Sequence, residues 1–180
     1  TLNGLIDLSI GSFKAPGAAS ATKGINSGNM TTSWWGVKGT EDLGGGMNAV
    51  FAIESFMRSD TASSGRFDAD VFWARNAYVG LAGATWGRVT LGRNTTPLFV
   101  STLLFNAIGD SFGFSPAIRH YFTSGTVTGD TGWSDSVLWS SPRFGGGFTA
   151  NLIGAAGEGK GPEACSVPGS RHQADCRCCG

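Results

Sequence analysis

"WWGVKGTEDLGGG", residues 34–46, is the stretch on which the reading of this chain turns. Bulky or apolar residues alternate with small or charged ones, and the pattern stops at three consecutive glycines. A period of two is the signature of a strand with unlike faces, and a glycine run is the signature of a tight turn. Trp35, Val37 and Gly39 share one face, whereas Trp34, Gly36, Lys38 and Thr40 share the other. Beyond the turn, Met47, Ala49, Phe51 and Ile53 oppose Asn48, Val50, Ala52 and Glu54. Such a hairpin calls for a different solvent on each side. Trp35 belongs with an apolar medium and Lys38 with a wet one, which leaves Trp34 on the wrong side.

Alternation recurs from end to end. Thr1 to Ile10 sets Leu2, Gly4, Ile6, Leu8 and Ile10 against Thr1, Asn3, Leu5, Asp7 and Ser9, and further strands are predicted near 71–81, 87–93, 135–141 and 147–154. Connectors differ sharply in length. Glu41 to Gly46, Gly83 to Gly87 and Pro142 to Gly147 read as short turns, while 11–32, 55–70 and 94–134 are long and rich in Ser, Thr, Gly and Asp. Short turns at one end and long loops at the other describe an up-and-down antiparallel meander. The same arrangement fits a transmembrane barrel. Inside the longest loop, Thr96 as N-cap, Pro97 at the first helical position and Gly109 as terminator predict a short apolar helix.

Composition points the same way. Charged residues are only 14% of the 180 and glycine numbers 29, so the chain is poorer in charge and richer in turns than an ordinary soluble domain. The net charge of zero offers no electrostatic footing for a nucleic-acid partner. No apolar run reaches the 18 or so residues of a transmembrane helix, and with no leader pattern in view any signal peptide is expected to have been removed or omitted. All four cysteines fall at 165, 176, 178 and 179, in a tail without alternation. The organisation expected is therefore a body over 1–158 and an aberrant Cys-rich segment over 159–180, read as out-of-frame or erroneous sequence. Deleting that segment is expected to leave folding unchanged.

"TLNGLIDLSI" at 1–10, "WGVKGTEDLGGGMNAVFAIES" at 35–55, "ARNAYVGLAG" at 74–83, "WGRVTLGRNTTP" at 86–97 and "SDSVLWSSPRFGGGFTANLIGAAGEG" at 134–159 occur in the order in which Gram-negative general porins carry them. The chain resembles that family, the beta-proteobacterial type especially, over about 1–158 and in the family's N-terminal half. The resemblance implies an all-β, antiparallel up-and-down transmembrane β-barrel, with about eight of sixteen strands present here. It further implies residence in the outer membrane among lipid bilayer and lipopolysaccharide, assembly as a homotrimer, and passive diffusion of small hydrophilic solutes and ions. No enzymatic activity, cofactor or metal is implied.

The resemblance also implies a waist, where wall arginines face acids on an infolded loop and the ring of charge sets ion preference. The "TLGR" arginine is Arg93; Lys38 and Arg75 lie on strands reaching the same wall, and Asp110 is the carboxylate of the loop 94–118. Trp34 and Leu138 stand where the family usually has basic residues, which weakens the positive side of the waist.

Rival readings are weaker. A secreted β-sandwich that binds carbohydrate through Trp34, Trp73 or Trp133 would also alternate, because exposed aromatic rings suit sugar faces. "GDSFG" at 109–113 fits a hydrolase nucleophile motif but lacks its strand–turn–helix setting, with His120 and His172 the only histidines. Cys176, Cys178 and Cys179 with His172 have no usual zinc spacing. Asp68 and Asp70 read as a solvated loop rather than a calcium site.

Overall fold

The computed structural model describes residues 1–14, 17–109, 111, 113–115, 118, 121–122 and 129–156. Ten strands and one helix occur among them: β1 (Leu2–Leu5), β2 (Leu8–Phe13), β3 (Thr22–Ser27), β4 (Trp34–Gly44), β5 (Met47–Arg58), β6 (Ser63–Ser64), β7 (Asn76–Gly83), β8 (Gly87–Thr95), α1 (Pro97–Leu104), β9 (Gly132–Ser140) and β10 (Asn151–Ala155). The main sheet runs β1-β4-β5-β7-β8-β9-β10 with every pairing antiparallel, β6 adds to β5, and β2 and β3 form a separate hairpin. The antiparallel meander is present, but the connector expected at 11–32 is partly strand: β2 continues to Phe13 and β3 occupies Thr22–Ser27, paired with it.

Register fixes the two faces. One rung runs Gly39–Phe51–Val79–Leu91–Val137, and the next runs Lys38–Ala52–Tyr78–Gly92–Ser136. Neighbouring rungs point to opposite sides because the side-chain period is two. On the first side Val79 is 63% exposed and Leu91 52%, with Phe51, Ile53 and Val137 exposed beside them. On the second side Ala52, Glu54, Thr90 and Ser136 are buried. A β-sandwich would cover its apolar face with a second sheet. Here that face is bare, the arrangement of a sheet whose outer solvent is hydrocarbon.

The N-terminal stretch is not one strand. Alternation continues through Ile6 and Asp7, but pairing with β4 ends at Leu5 and pairing with β3 begins at Leu8. Residues 28–33, lying between β3 and β4 with no counterpart on the other strand, loop out as a bulge. Asp7 fills the gap they leave. Its Oδ2 accepts the N–H groups of Met30 at 2.7 Å and Thr31 at 3.0 Å, its N–H donates to Ser33 Oγ at 2.9 Å, and its carbonyl accepts from Gly28 N–H at 3.2 Å. The strand expected from 71 begins only at Asn76.

The helix starts as the sequence requires: Thr96 Oγ1 accepts from Phe99 N–H at 3.2 Å and Pro97 needs no partner for its missing donor. It ends earlier than Gly109. Phe105 caps it by donating to the Ser101 carbonyl, and Asn106 Oδ1 takes the Ile108 N–H, which starts a turn. The tail from 157, with its cysteines and His172, lies outside the described residues, as do Asp110 and His120.

Candidate functional site: the polar wall and its loop end

Side chains of the polar face and of the long loops meet at the end of the sheet away from the glycine turns. Two networks form there. In the first, Glu54 is 4% exposed on the polar face of β5. A buried carboxylate is costly unless its lone pairs are met. Arg75 Nη1 donates to its Oε2 in a very short contact, and Asn76 Nδ2 donates to the same oxygen at 2.7 Å. Asn76 Oδ1 in turn accepts from Thr95 N–H and Thr95 Oγ1, both at 3.0 Å, which ties β7 to the end of β8.

The Arg75 guanidinium also lies 3.8 Å from the centre of the Trp34 ring. That contact resolves the tryptophan on the wet side. A guanidinium is weakly hydrated and stacks well on an aromatic face, so Trp34 is covered by a cation rather than left bare to water. Its neighbour Trp35 points the other way, with Val37 and Ile53, and meets the Trp73 ring at 5.9 Å.

Arg66 organises the second network. Nε and Nη2 grip Asp70 at 2.8 and 2.9 Å, while Nη1 and Nη2 grip Asp130 at 2.6 and 3.0 Å. Its flat surface sits over the Phe56 and Phe67 rings. Arg93 reaches the same acid: Nη2 donates to Asp130 Oδ2 at 2.6 Å, Nε to the Ala74 carbonyl at 2.6 Å and Nη1 to Ser134 Oγ at 2.9 Å. Burial by itself would raise the Asp130 carboxyl. The hydrogen bonds and charge of Arg66, with the charge of Arg93, outweigh it and hold the group below the ordinary carboxylate range. Burial likewise opposes the charge on Arg66, and Asp70 and Asp130 more than restore it.

Of the four residues singled out from the sequence, the three that are described do not form one cluster. Lys38 is exposed on the polar face, in the rung of Tyr78 and Ser136. Arg75 is at the loop end of that face, already paired with Glu54 and Trp34. Register gives Arg93 the rung of Val37, Ile53 and Ala77, on the side of the apolar rows. Gly92, at φ +125, and the irregular pairing between β8 and β9 beside it break the rung there, and the guanidinium turns into the loop cluster. Asp110 lies outside the described residues.

Sequence reasoning passes over Glu54, Arg66 and Asp130 and reads Asp70 as part of a solvated loop, whereas its side chain is buried against Arg66. The only local signal was the four-residue spacing of Arg66 and Asp70; Asp130 is 64 residues from Arg66 and reads as an ordinary loop aspartate. Leu138 sits on the polar side opposite Thr90 and Ile153. Ser111 of the hydrolase-like motif is fully buried and donates to the Asn29 carbonyl at 2.8 Å, so it is a structural tether and not a nucleophile. Asp68 and Asp70 are engaged by Arg58 and Arg66. No group of three metal-ligating side chains occurs among the described residues.

Comparison with known proteins agrees with this architecture. The sequence matches the Gram-negative porin family over residues 1–175. It is 31% identical over 159 residues to an outer membrane porin protein of Bordetella pertussis, a match covering 81% of this chain and 40% of that protein. It is also 31% identical over 159 residues to outer membrane porin protein 32 of Delftia acidovorans, covering 84% of this chain and 42% of the relative. The chain therefore spans well under half the length of either. Bare apolar rows, buried polar rows, an all-antiparallel meander and these matches lead to one assignment: the chain belongs to the Gram-negative porin family, as β-barrel sequence of the outer membrane, of the beta-proteobacterial type, and not as an enzyme.

Proposed function

We propose that the complete porin containing this chain lets small hydrophilic solutes and ions cross the outer membrane down their gradients, without turnover. The two-faced sheet carries this reading, because a wall that is apolar outside and polar inside encloses water when it closes. The surroundings are lipid bilayer and lipopolysaccharide, and the assembly is a homotrimer. The limiting waist is formed by Lys38, Arg75 and Arg93 on the wall, facing Asp110 on the loop 94–118. In this reading residues 1–158 are barrel sequence and 159–180 are an aberrant tail.

The cations of the waist are unequal in this reading. Exposed Lys38 projects its full charge into the polar space, whereas Arg75 is offset by Glu54 and Arg93 by Asp130. A paired charge produces a weaker field at a distance than a bare one. Planar-bilayer recordings test this. Lys38→Glu is expected to shift the reversal potential toward cations most, Arg75→Glu less and Arg93→Glu least, while Asp110→Asn shifts it toward anions. Unchanged selectivity in all four would remove these residues from the waist.

A further inference from the structure

The bulge at 28–33 does more than interrupt a strand. Asn29 presents its main-chain carbonyl outward, and two groups from the far side of α1 converge on it: Ser111 Oγ at 2.8 Å and Gly113 N–H at 3.0 Å. Ser111 is fully buried. Its hydroxyl oxygen also accepts the Phe114 N–H at 3.0 Å, and its carbonyl accepts the Ser115 N–H at 3.0 Å. Ser115 Oγ then takes Asn106 Nδ2, in a very short contact, and the Ile118 N–H at 3.4 Å. A Cβ built on Gly113 would stand 2.7 Å from the Asn29 carbonyl oxygen, so only glycine permits this approach.

Asp7 holds the bulge from outside, at the two residues that follow Asn29. The carboxylate receives two successive N–H groups, those of Met30 and Thr31, directly after Asn29. Hydrogen bonds to a carboxylate are stronger than neutral ones. Ser33 closes the other end: Oγ donates to the Asp7 carbonyl at 3.2 Å, and its carbonyl accepts the Met57 N–H at 2.9 Å on β5. Ser27 Oγ, 3.1 Å from Ser33 Oγ, accepts the Ser59 N–H at 3.1 Å. The bulge is thus fixed to β5 as well as to the N-terminal strands.

The geometry points to a mooring: the 28–33 bulge, shaped by Asp7, fixes the position of the loop that follows α1, and Asp7 is a positioning residue for the aperture. This rests on the reading that the loop 94–118 narrows the channel. Asn29 acts through its main chain, since its side-chain Nδ2 is buried without a partner among the described residues. Identity at 29 is therefore free while identity at 7, 111 and 113 is not.

The test uses the complete porin in detergent and in planar bilayers, with Asp7→Ala, Asp7→Asn, Ser111→Ala and Asn29→Ala. Losing one such hydrogen bond is expected to raise the released population about fivefold. Hydrogen exchange at the Gly113 amide should accelerate by that factor in Asp7→Ala and Ser111→Ala, with β5 and β7 amides unchanged and open-channel noise increased. Asn29→Ala, which keeps the carbonyl, should stay near the parent in both readouts, and Asp7→Asn, which keeps an accepting oxygen without the charge, should fall between the parent and Asp7→Ala. Unchanged Gly113 exchange in Ser111→Ala overturns the mooring, as does an Asn29→Ala variant as loose as Asp7→Ala. Faster exchange with unaltered noise overturns the role in the aperture. If no variant and no parent conducts, the channel reading fails while the exchange data still decide the mooring.

Discussion

The two ends of this sheet are built on opposite principles. At the turn end, β4 passes to β5 through Gly44, Gly45 and Gly46, all at positive φ, with Asp42 Oδ1 accepting the Gly44 N–H at 2.8 Å. That turn is closed within a few residues of chain. At the loop end, Arg66 is joined to Asp130 across 64 residues, Arg93 to Asp130 across 37 and Ser111 to Asn29 across 82. One end is held by backbone conformation and the other by side chains meeting over distance. Local conformation is cheap to specify in sequence and costs little to form; distant ion pairs order long loops but are costly when half removed.

Arg66→Ala is expected to hit that contrast hardest. It leaves Asp70, whose side chain is 3% exposed, without its guanidinium, and strips Asp130 of two hydrogen bonds. Breaking a buried pair on one side costs roughly 3–5 kcal/mol, and partial exposure of Asp130 places the effect near the lower figure. Thermal unfolding of the complete porin should show the loss, with exchange accelerated at 65–70 and 129–131 and not at 44–46. Equal acceleration at both ends would break the contrast.

Gly87→Ala probes the turn end. Gly87 is at φ +89, and a Cβ there would press on the Ser140 carbonyl of β9, a backbone atom that cannot swing aside. A cost of about 2 kcal/mol is expected from strain and contact together. The readout is the same melting curve, with exchange rising at 83–87 and the loop networks untouched. A smaller effect is assigned to Thr96→Ala, which removes one N-cap and should cost about 1 kcal/mol of local helix stability. Its measurement is exchange at the Phe99 amide.

Acid gives the smallest and most selective effect. Asp130 has a folded-state pKa lowered from its ordinary value, so its stabilising contribution is complete above the unfolded value of about 4 and is lost as pH falls through the lower folded one. The side chain is 36% exposed, so solvent screens part of this gain. Exchange at Thr131 should therefore rise below about pH 4. Asp130→Asn should lose that pH dependence.

Those experiments also separate what was legible in the sequence from what was not. Strand alternation, short turns and the Thr96-Pro97 helix start are patterns with periods or offsets of a few residues, and the structure contains each of them. The missed features share a different cause. Asp7 lies in an unbroken alternating run, so nothing near it announces that pairing stops at Leu5 and resumes at Leu8. Helix α1 stops at Leu104 because Phe105 and Asn106 satisfy its end locally, and Gly109 is not needed. Glu54 looked like one more polar residue on a wall. Its burial depends on Asn76, the first residue of the next strand in the sheet, and on Arg75 just before it.

By itself, then, the sequence determined the antiparallel meander, the two unlike faces and the family, because each is carried by local periodicity or by contiguous motifs. Only the tertiary structure decided where the charges act. Arg75 lies over Trp34 and against Glu54, and Arg93 leaves its rung at Gly92 to join Asp130. A charge is defined by its partners, and these partners are brought together by register and loop closure rather than by neighbourhood in the chain.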